Sequence, residues 1–217
     1  HKVFEYKGKR IALTICEDIW NIGNENPLYR ICPLDIMVPH NPDFILNVSA
    51  SPFAYSHAEE RLKVLKANVE RYKLPLFYSN NVGSQTEIVF DGGSAVMSPD
   101  GEIFREMPYF KECLEFFELD EVIRGGQSDV QPKDDILEIH DGLLCGIKDY
   151  FGKLGFKKAI LGLSGGIDSA VAAVLAARAL GPKNVKGLLM PSQFSSNHSV
   201  EDAEQLARDL GISHEII

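Results

Sequence analysis

A glycine-rich loop in the last third of the chain is flanked by an apolar strand pattern at 159–163 and an Ala-rich helix pattern at 167–180. A strand pattern at 185–190, a helix pattern at 199–211 and the strand start HEII at 214–217 follow. Strand–helix–strand–helix–strand order predicts a doubly wound parallel sheet. The loop then lies at the carboxyl edge of that sheet, where phosphate groups bind to helix N-termini.

The loop has the residue types that phosphate binding needs. Its glycines let backbone N–H groups approach an anion, and its two serines add hydroxyl donors. The carboxylate of Asp168 repels phosphate, which makes it a candidate ligand for a bridging Mg²⁺. Neither GxxxxGK[ST] nor GxGxxG is present. The candidate nucleotide-binding residues are Gly162, Leu163, Ser164, Gly165, Gly166, Ile167, Asp168 and Ser169.

This loop resembles the SGGxDS loop of the N-type ATP pyrophosphatases, which split ATP to AMP and pyrophosphate. The following stretch, GPKNVKGLLMPSQFSSNHSVEDAEQLARDLGI, resembles the NAD⁺ synthetase branch of that family. The alternative interpretation of the loop is a glycine-rich turn that only caps a helix.

The first half of the chain has the texture of a strand-rich α/β domain. Residues 56–73 predict an amphipathic helix, with a capping box between Ser56 and Glu59. Strands are predicted at 10–16, 44–49, 74–82, 86–90, 94–98 and 116–120.

An aperiodic stretch, 121–135, divides the chain, and we read it as an interdomain linker rather than a long surface loop. The predicted domains are 1–122 and 136–217, joined by a linker at 123–135. A helix is predicted at 135–155, with one apolar face formed by Ile136, Ile139, Leu143, Ile147 and Leu154.

Cys16 ends the first of these strands and is followed by Glu17. A nucleophile at a strand end can face a pocket, with the next backbone N–H turned toward an oxyanion. The alternative is a cysteine that only packs in the core. Cys32, Cys113 and Cys145 have no partner motif and are predicted to be packing residues.

The segments TICEDIW, NVSASPF and NNVGSQTEIVFDGGSAVMSPDG resemble the carbon–nitrogen hydrolase (nitrilase) domain of glutamine-dependent NAD⁺ synthetases. That family uses a Glu–Lys–Cys triad, and Cys16 matches the nucleophile. The resemblance implies that Ser51 holds the amino-acid end of glutamine and that Glu17 shapes the pocket. His57 stands where some members have Arg or Lys for the carboxylate, so it is either a substrate contact or a solvent-facing residue.

The resemblance implies an α/β chain: the C-terminal half of a nitrilase-like α-β-β-α sandwich, then the start of an adenine nucleotide alpha hydrolase-like domain. It implies ATP-dependent amidation of nicotinic acid adenine dinucleotide to NAD⁺, with ammonia from glutamine. The implied cofactors are ATP and Mg²⁺, and the parent protein is expected to be a homo-oligomer. The rivals are a different amidotransferase with the same ATP loop and a non-catalytic fragment.

The net charge is −9, and both halves of the chain are acidic. No basic stripe is present to neutralise a nucleic-acid backbone, so the expected partners are small molecules. No apolar run approaches the roughly 18–20 residues that span a bilayer, which predicts no membrane segment. The absence of CxxC pairs favours a reduced, cytoplasmic protein.

The triad Glu and Lys lie upstream of the matched segment in the family, so this sequence is expected to be a piece of a longer protein. The 217-residue chain alone should therefore release no ammonia from glutamine at a rate comparable to complete family enzymes. An ammonia-release assay checks this, and turnover that disappears in Cys16→Ala would show the expectation to be wrong.

Overall fold

The computed structural model describes residues 2–22, 29–126, 129–131, 134–191 and 197–217. Two compact units are formed. The first runs to Gly83 and continues from Ile88 to Glu138, and the second comprises Ser84–Glu87 and Ile139–Ile217. The boundary between the units thus lies at 138/139, beyond the stretch read as a linker.

The described residues up to Arg124 form eight strands, three helices and two short 3₁₀ segments, and the unit boundary after Gly83 falls within the fifth strand. The strands are β1 (Val3–Tyr6), β2 (Lys9–Ile15), β3 (Phe44–Ser49), β4 (Leu76–Asn80), β5 (Val82–Gln85), β6 (Ile88–Asp91), β7 (Ala95–Met97) and β8 (Ile103–Glu106). The helices are α1 (Pro33–Met37), α2 (His57–Tyr72) and α3 (Leu119–Arg124), and the 3₁₀ segments are Cys16–Ile19 and Val38–His40.

Six of the strands form a mixed sheet in the order β1-β2-β3-β4-β7-β8, and β5 and β6 form a separate two-stranded sheet. Strands β2, β3 and β4 are parallel, with Ile15 opposite Val48 and Ser49 opposite Asn80. The strands on either side are antiparallel. The carboxyl ends of three parallel strands therefore meet at one edge of this sheet.

The core of the first unit lies between this sheet and helices α1 and α2. Alternation in β2 and β3 turns Ala12 and Ile45 inward, and α2 adds Val64, Leu65 and Val69. All five side chains are at most 3% exposed. Apolar burial of this kind is the main favourable contribution to folding.

Helix α2 also buries an arginine. Arg61 donates to both carboxylate oxygens of Asp91, at 3.1 and 2.8 Å, and the two side chains are 1% and 2% exposed. Burial alone lowers the pKa of Arg61, but the hydrogen bonds and charge of Asp91 raise it above its ordinary value. The bidentate geometry and the ion pair together offset the cost of removing both charges from water.

The predicted capping box at Ser56 and Glu59 is wrong. Ser56 has φ 63° and makes no side-chain cap, while its carbonyl accepts the N–H of Glu59 at 3.1 Å. A side-chain cap requires an extended backbone at the cap residue, and the left-handed turn at Ser56 prevents that.

The predicted strand at 116–120 is also wrong. Residues 116–118 form no strand, and helix α3 starts at Leu119. Phe117 packs by its side chain against the buried Val96, Phe104 and Val122. Burial of the aromatic ring, rather than backbone pairing, holds this segment.

The residues that follow α3 bind back to the end of β8. Glu106 accepts the backbone N–H of Gln131 at 2.9 Å and the hydroxyl of Tyr109 at 2.5 Å, and it is fully buried. The backbone N–H of Glu106 donates to Asp129 O at 2.9 Å. The part of the stretch 121–135 that is described is therefore hydrogen-bonded to the first unit rather than free.

The second unit contains α4 (Asp135–Leu154), β9 (Ala159–Gly162), α5 (Ile167–Leu180), β10 (Val185–Leu189), α6 (Asn197–Leu210) and β11 (Ser213–Ile216). Its three strands are parallel in the order β11-β10-β9, which confirms the predicted parallel sheet. Small residues allow α5 and α6 to pack closely on it, among them Ala173, Ala177, Ala203 and Ala207.

The apolar face predicted on α4 does not enter either core. Ile136, Leu143 and Leu154 are 75%, 47% and 53% exposed. Among the described residues, no helix is both long and apolar enough to span a membrane.

Replacing Arg61 by Met should destabilise the first unit by about 3–5 kcal/mol, because Asp91 then remains as an uncompensated buried charge. The double variant Arg61→Met/Asp91→Leu should regain part of this loss. Urea denaturation measures both.

The matched control lies on the same helix, where Arg71 pairs with Asp35 at the surface, with side chains 52% and 46% exposed. Arg71→Met should cost no more than about 1 kcal/mol. Equal losses for the two arginine variants would contradict the importance of the buried pair.

Candidate active site

Cys16 lies directly after β2, as predicted, and begins the 3₁₀ segment Cys16–Ile19. Its backbone has φ 46°, a left-handed conformation that is uncommon for a residue with a side chain. Backbone strain of this kind is concentrated at functional sites, where the surrounding structure enforces it.

Polar side chains hold this turn from both sides. Asp18 Oδ2 accepts the N–H of Ile15 at 2.9 Å, and Asn47 Nδ2 donates to the carbonyl of Cys16 at 3.3 Å. Asn47 is itself fully buried and accepts the hydroxyl of Ser49 at 2.6 Å. The turn that carries the thiol is therefore held by Asp18 from within the turn and by Asn47 from β3.

Cys16 and Glu17 line a cavity of about 640 Å³ in the first unit, together with Tyr29 and Arg30. The hydroxyl of Tyr29 donates to Glu17 Oε2, and this hydrogen bond raises the pKa of Tyr29. The residues that line the cavity thus include, besides Cys16, two acidic residues, Glu17 and Asp18, and one arginine, Arg30. Opposite charges of this kind suit the ammonium and carboxylate groups of an α-amino acid.

Ser51 and His57 are brought together two residues beyond β3 and at the start of α2. Ser51 Oγ and His57 Nε2 are 3.1 Å apart, and His57 Nδ1 lies 3.3 Å from Glu60 Oε2. The His57 ring stacks on Trp20, with centroids 5.1 Å apart and an interplanar angle of 6°. Because Trp20 follows directly on the Cys16 turn, this stack links His57 to that turn.

Neither Ser51 nor His57 is among the described residues that line the cavity beside Cys16. Ser51 is 4% exposed, and one side of the His57 ring is covered by Trp20. His57 therefore does not simply face solvent, because both of its ring nitrogens have partners. The assignment of both residues to glutamine stays a prediction.

The loop 162–169 joins β9 to α5 in the second unit, at the carboxyl edge predicted from the sequence. Ser169 Oγ lies 3.0 Å from Ser164 Oγ and donates to the carbonyl of Gly166 at 2.9 Å. The loop is thus closed on itself by its two hydroxyls. The N–H of Ala170 donates to the carbonyl of Gly166 at 3.1 Å, but the amides of Ile167, Asp168 and Ser169 have no carbonyl four residues upstream within α5 and are available for an anion.

Gly165 cannot be replaced by a larger residue. It has φ 78°, and a Cβ added there would lie 2.3 Å from the backbone oxygen of Ser199. The close approach of the loop to α6 therefore requires a glycine. A cavity of about 100 Å³, lined by Ser164, Met190 and Ser199 among others, lies beside it.

Asp168 is exposed in the first turn of α5, and no hydrogen bond or ion pair engages its carboxylate among the described residues. A free carboxylate beside a phosphate-binding loop suits Mg²⁺, which takes one or two carboxylates with substrate phosphates and keeps waters. Across the described parts of the chain, no three His, Cys, Asp or Glu side chains converge as a metal site.

The three remaining cysteines differ from one another. Cys32 is buried in the core, with its sulfur 3.2 Å from the hydroxyl of Tyr72. Cys113 is exposed, so the prediction that it packs in the core is wrong. Partial desolvation and the Glu115 carboxylate raise the pKa of the Cys113 thiol. Cys145 is half-buried on α4, and burial raises its pKa as well.

Sequence patterns did not indicate several residues that the structure brings to the site. No motif or spacing pattern in the sequence points to these residues, which are Arg30, Asn47, Asn80 and Asp91. The two consecutive acidic residues after Cys16 were a usable signal for Asp18, but only the structure shows its bond to Ile15. Residues 192–196 of the stretch that resembles the NAD⁺ synthetase branch lie outside the described residues.

Comparison with known proteins gives consistent matches for both units. The NAD synthase family matches residues 139–217. A glutamine-dependent NAD(+) synthetase from Synechocystis is 39% identical over 99% of this chain, and one from Acinetobacter baylyi is 38% identical over 98%. The chain spans 39% and 38% of the length of these two relatives.

The solved structure of the glutamine-dependent NAD⁺ synthetase from Acinetobacter baumannii, in complex with ADP, superposes with a TM-score of 0.87 at 34% identity. It covers 99% of this chain, which covers 39% of that protein. The synthetase from Cytophaga hutchinsonii shares the fold, with a TM-score of 0.73 at 18% identity.

The fold and the two sites define an α/β chain with a first unit that carries the Cys16 turn and a second unit that matches the NAD synthase family. Over nearly its whole length the chain is similar to a segment that makes up about 39% of the glutamine-dependent NAD(+) synthetases it matches. The resemblance and the α/β fold class expected from the sequence are confirmed.

A diazoketone analogue of glutamine should label Cys16 in the full-length gene product and spare Cys113, although Cys113 is the more exposed thiol. The reason is that Cys16 lies on a strained turn at a cavity of about 640 Å³, whereas the carboxylate and guanidinium near Cys113, those of Glu115 and Arg105, are already paired with each other. Peptide mapping locates the label. A neutral alkylating agent is the control, since it should reach Cys113 too, and a diazoketone label on Cys113 would refute the assignment.

Proposed function

We propose that this chain is part of an enzyme that amidates nicotinic acid adenine dinucleotide to NAD⁺, with ATP as energy source and glutamine as nitrogen donor. The observation that carries the proposal is the presence, in one chain, of a strained cysteine turn beside a cavity of about 640 Å³ and a glycine-rich loop between β9 and α5. Three relatives named glutamine-dependent NAD(+) synthetase match 93% or more of the chain.

The first unit supplies ammonia. The Cys16 sulfur attacks the side-chain amide carbon of glutamine, forms a thioester and releases ammonia, and water then releases glutamate. In this proposal Glu17 and Arg30, which line the cavity, bind charged groups of the substrate, and Ser51 holds the amino-acid end of glutamine, as the resemblance implies. A backbone N–H that stabilises the oxyanion contributes about 2.7–4 kcal/mol to such a step.

The second unit binds ATP. Backbone amides of the loop and the hydroxyls of Ser164 and Ser169 hold phosphate oxygens, and Asp168 holds Mg²⁺. The bound Mg²⁺ supplies positive charge where the phosphate oxygens become more negative. The carboxylate of the dinucleotide attacks the α-phosphorus and pyrophosphate leaves. Ammonia then attacks the adenylate carbonyl and displaces AMP.

The proposed partners are these small molecules. The oligomeric state expected from the resemblance, a homo-oligomer, remains a proposal for the full-length gene product.

Two variants of the full-length gene product separate the two sites. Cys16→Ala removes only the ammonia source, so NAD⁺ formation should continue with ammonium salt and stop with glutamine. Asp168→Ala removes the proposed Mg²⁺ ligand, so synthesis should fall about 10²–10³-fold with either nitrogen source. NAD⁺ formation from the nicotinic acid dinucleotide is the assay. Near-normal ammonium-dependent synthesis by Asp168→Ala would exclude the loop as the adenylation site.

A further inference from the structure

The side-chain amide of Asn80, at the end of β4, uses all of its hydrogen-bonding groups within the first unit. Its Oδ1 accepts the backbone N–H of Ser51 at 2.9 Å. Its Nδ2 donates to Asp91 Oδ1 at 3.1 Å and to the carbonyl of Gly92 at 2.7 Å. A flipped amide would set its NH₂ against the N–H of Ser51 and its oxygen against two acceptors, so only one orientation is compatible.

The buried pair of Arg61 and Asp91 enforces this orientation. Arg61 is permanently charged, and its bidentate bonds keep the Asp91 carboxylate in place as an acceptor for Asn80. Gly93 adds a further constraint. It has φ 58°, and a Cβ added there would lie 2.3 Å from the ring of Tyr109. The turn that carries Asp91 is therefore rigid.

The region around Ser51 also contains an unsatisfied polar group. The hydroxyl of Tyr78 is buried and has no hydrogen-bond partner among the described residues. Burial raises the pKa of Tyr78, while the Arg61 guanidinium and the nearby Ser49 and Ser51 hydroxyls oppose that rise. Buried polar groups without a partner are rare in proteins, and the nearby Ser49 and Ser51 hydroxyls are the groups closest to satisfying this one.

We propose that Asn80 is a positioning residue for the glutamine site, and that it acts through the backbone N–H of Ser51. A chain of hydrogen bonds runs from Arg61 on α2 through Asp91 and Asn80 to the backbone of Ser51. It holds Ser51 in place at the carboxyl edge of the sheet. Asn80 touches no reacting atom in this role. The inference rests on the proposed function, because it takes from the resemblance that Ser51 holds the amino-acid end of glutamine.

Asn80→Ala tests this in the full-length gene product. Loss of the acceptor frees the Ser51 backbone, so the KM for glutamine should rise about 10-fold while kcat changes by less than about 3-fold. Ammonium-dependent NAD⁺ synthesis should stay unchanged. The rate at which iodoacetamide alkylates Cys16 should also stay unchanged, because this reagent does not need the amino-acid end of the site.

Asn80→Asp gives a second readout, in pH, that a purely structural loss does not produce. The introduced carboxyl keeps an acceptor for the N–H of Ser51 but faces Asp91 at a distance where two negative charges repel. Repulsion raises the pKa of such a carboxyl, and its protonation restores a donor toward Asp91. The KM for glutamine, relative to wild type, should therefore be raised at about pH 8 and approach the wild-type value at about pH 6.

Tyr109→Phe is the control. It removes the hydroxyl bonded to the buried Glu106, at 2.5 Å, but keeps the ring beside Gly93 and leaves Asn80 untouched. This variant loses a buried hydrogen bond without disturbing Ser51, so its KM for glutamine should match the wild type.

The outcomes distinguish this inference from the function on which it rests. A wild-type protein that does not use glutamine would refute the proposed function. A glutamine-dependent wild type with an unchanged KM in Asn80→Ala would overturn the positioning role alone, as would an equal fall with glutamine and with ammonium. If Asn80→Ala does not fold, the pH profile of Asn80→Asp decides, and a KM ratio that is independent of pH overturns the proposal.

Discussion

The first unit depends on one buried ion pair, between Arg61 on α2 and Asp91 at the end of β6. Two charges that are 1% and 2% exposed are stable only if they are paired and hydrogen-bonded, and here each is the other's partner. Asn80 completes the hydrogen bonds of Asp91, and Arg61 lies over the rings of Tyr78 and Tyr109, about 6 Å from each centroid. The pair thereby fixes how the helix, the β6–β7 turn and the end of β4 meet.

Parallel strand order explains why the functional residues of each unit lie at one edge. Cys16 follows β2, Ser51 follows β3 and Asn80 ends β4, and these three strands are adjacent and in register. In the second unit the loop 162–169 follows β9 at the equivalent edge of a smaller parallel sheet. Chain segments that leave parallel strands at the same end can converge without long loops, which is why such edges carry ligand sites.

The errors of the sequence predictions have a common physical cause. The capping box at Ser56 and the strand at 116–120 were both read from local residue types, but tertiary contacts determined the outcome. A left-handed backbone at Ser56 joins β3 to α2, and Phe117 is held by burial beside Val96 and Phe104. Buried Arg61 and Asn68 were missed for the converse reason, because polar residues on a helix are ordinarily assigned to its exposed face.

The sequence by itself determined the class of each unit, the position of Cys16 after a strand, and the loop between a strand and a helix. Short-range patterns encode these features, because apolar periodicity and glycine placement act within a few residues. Only the tertiary structure showed that Asn80 bonds to Ser51 from 29 positions along the chain, that Asp91 in turn bonds to Asn80, and that Arg30 shares a cavity with Cys16. Hydrogen bonds between such distant residues follow from sheet register and helix packing, which local sequence does not specify.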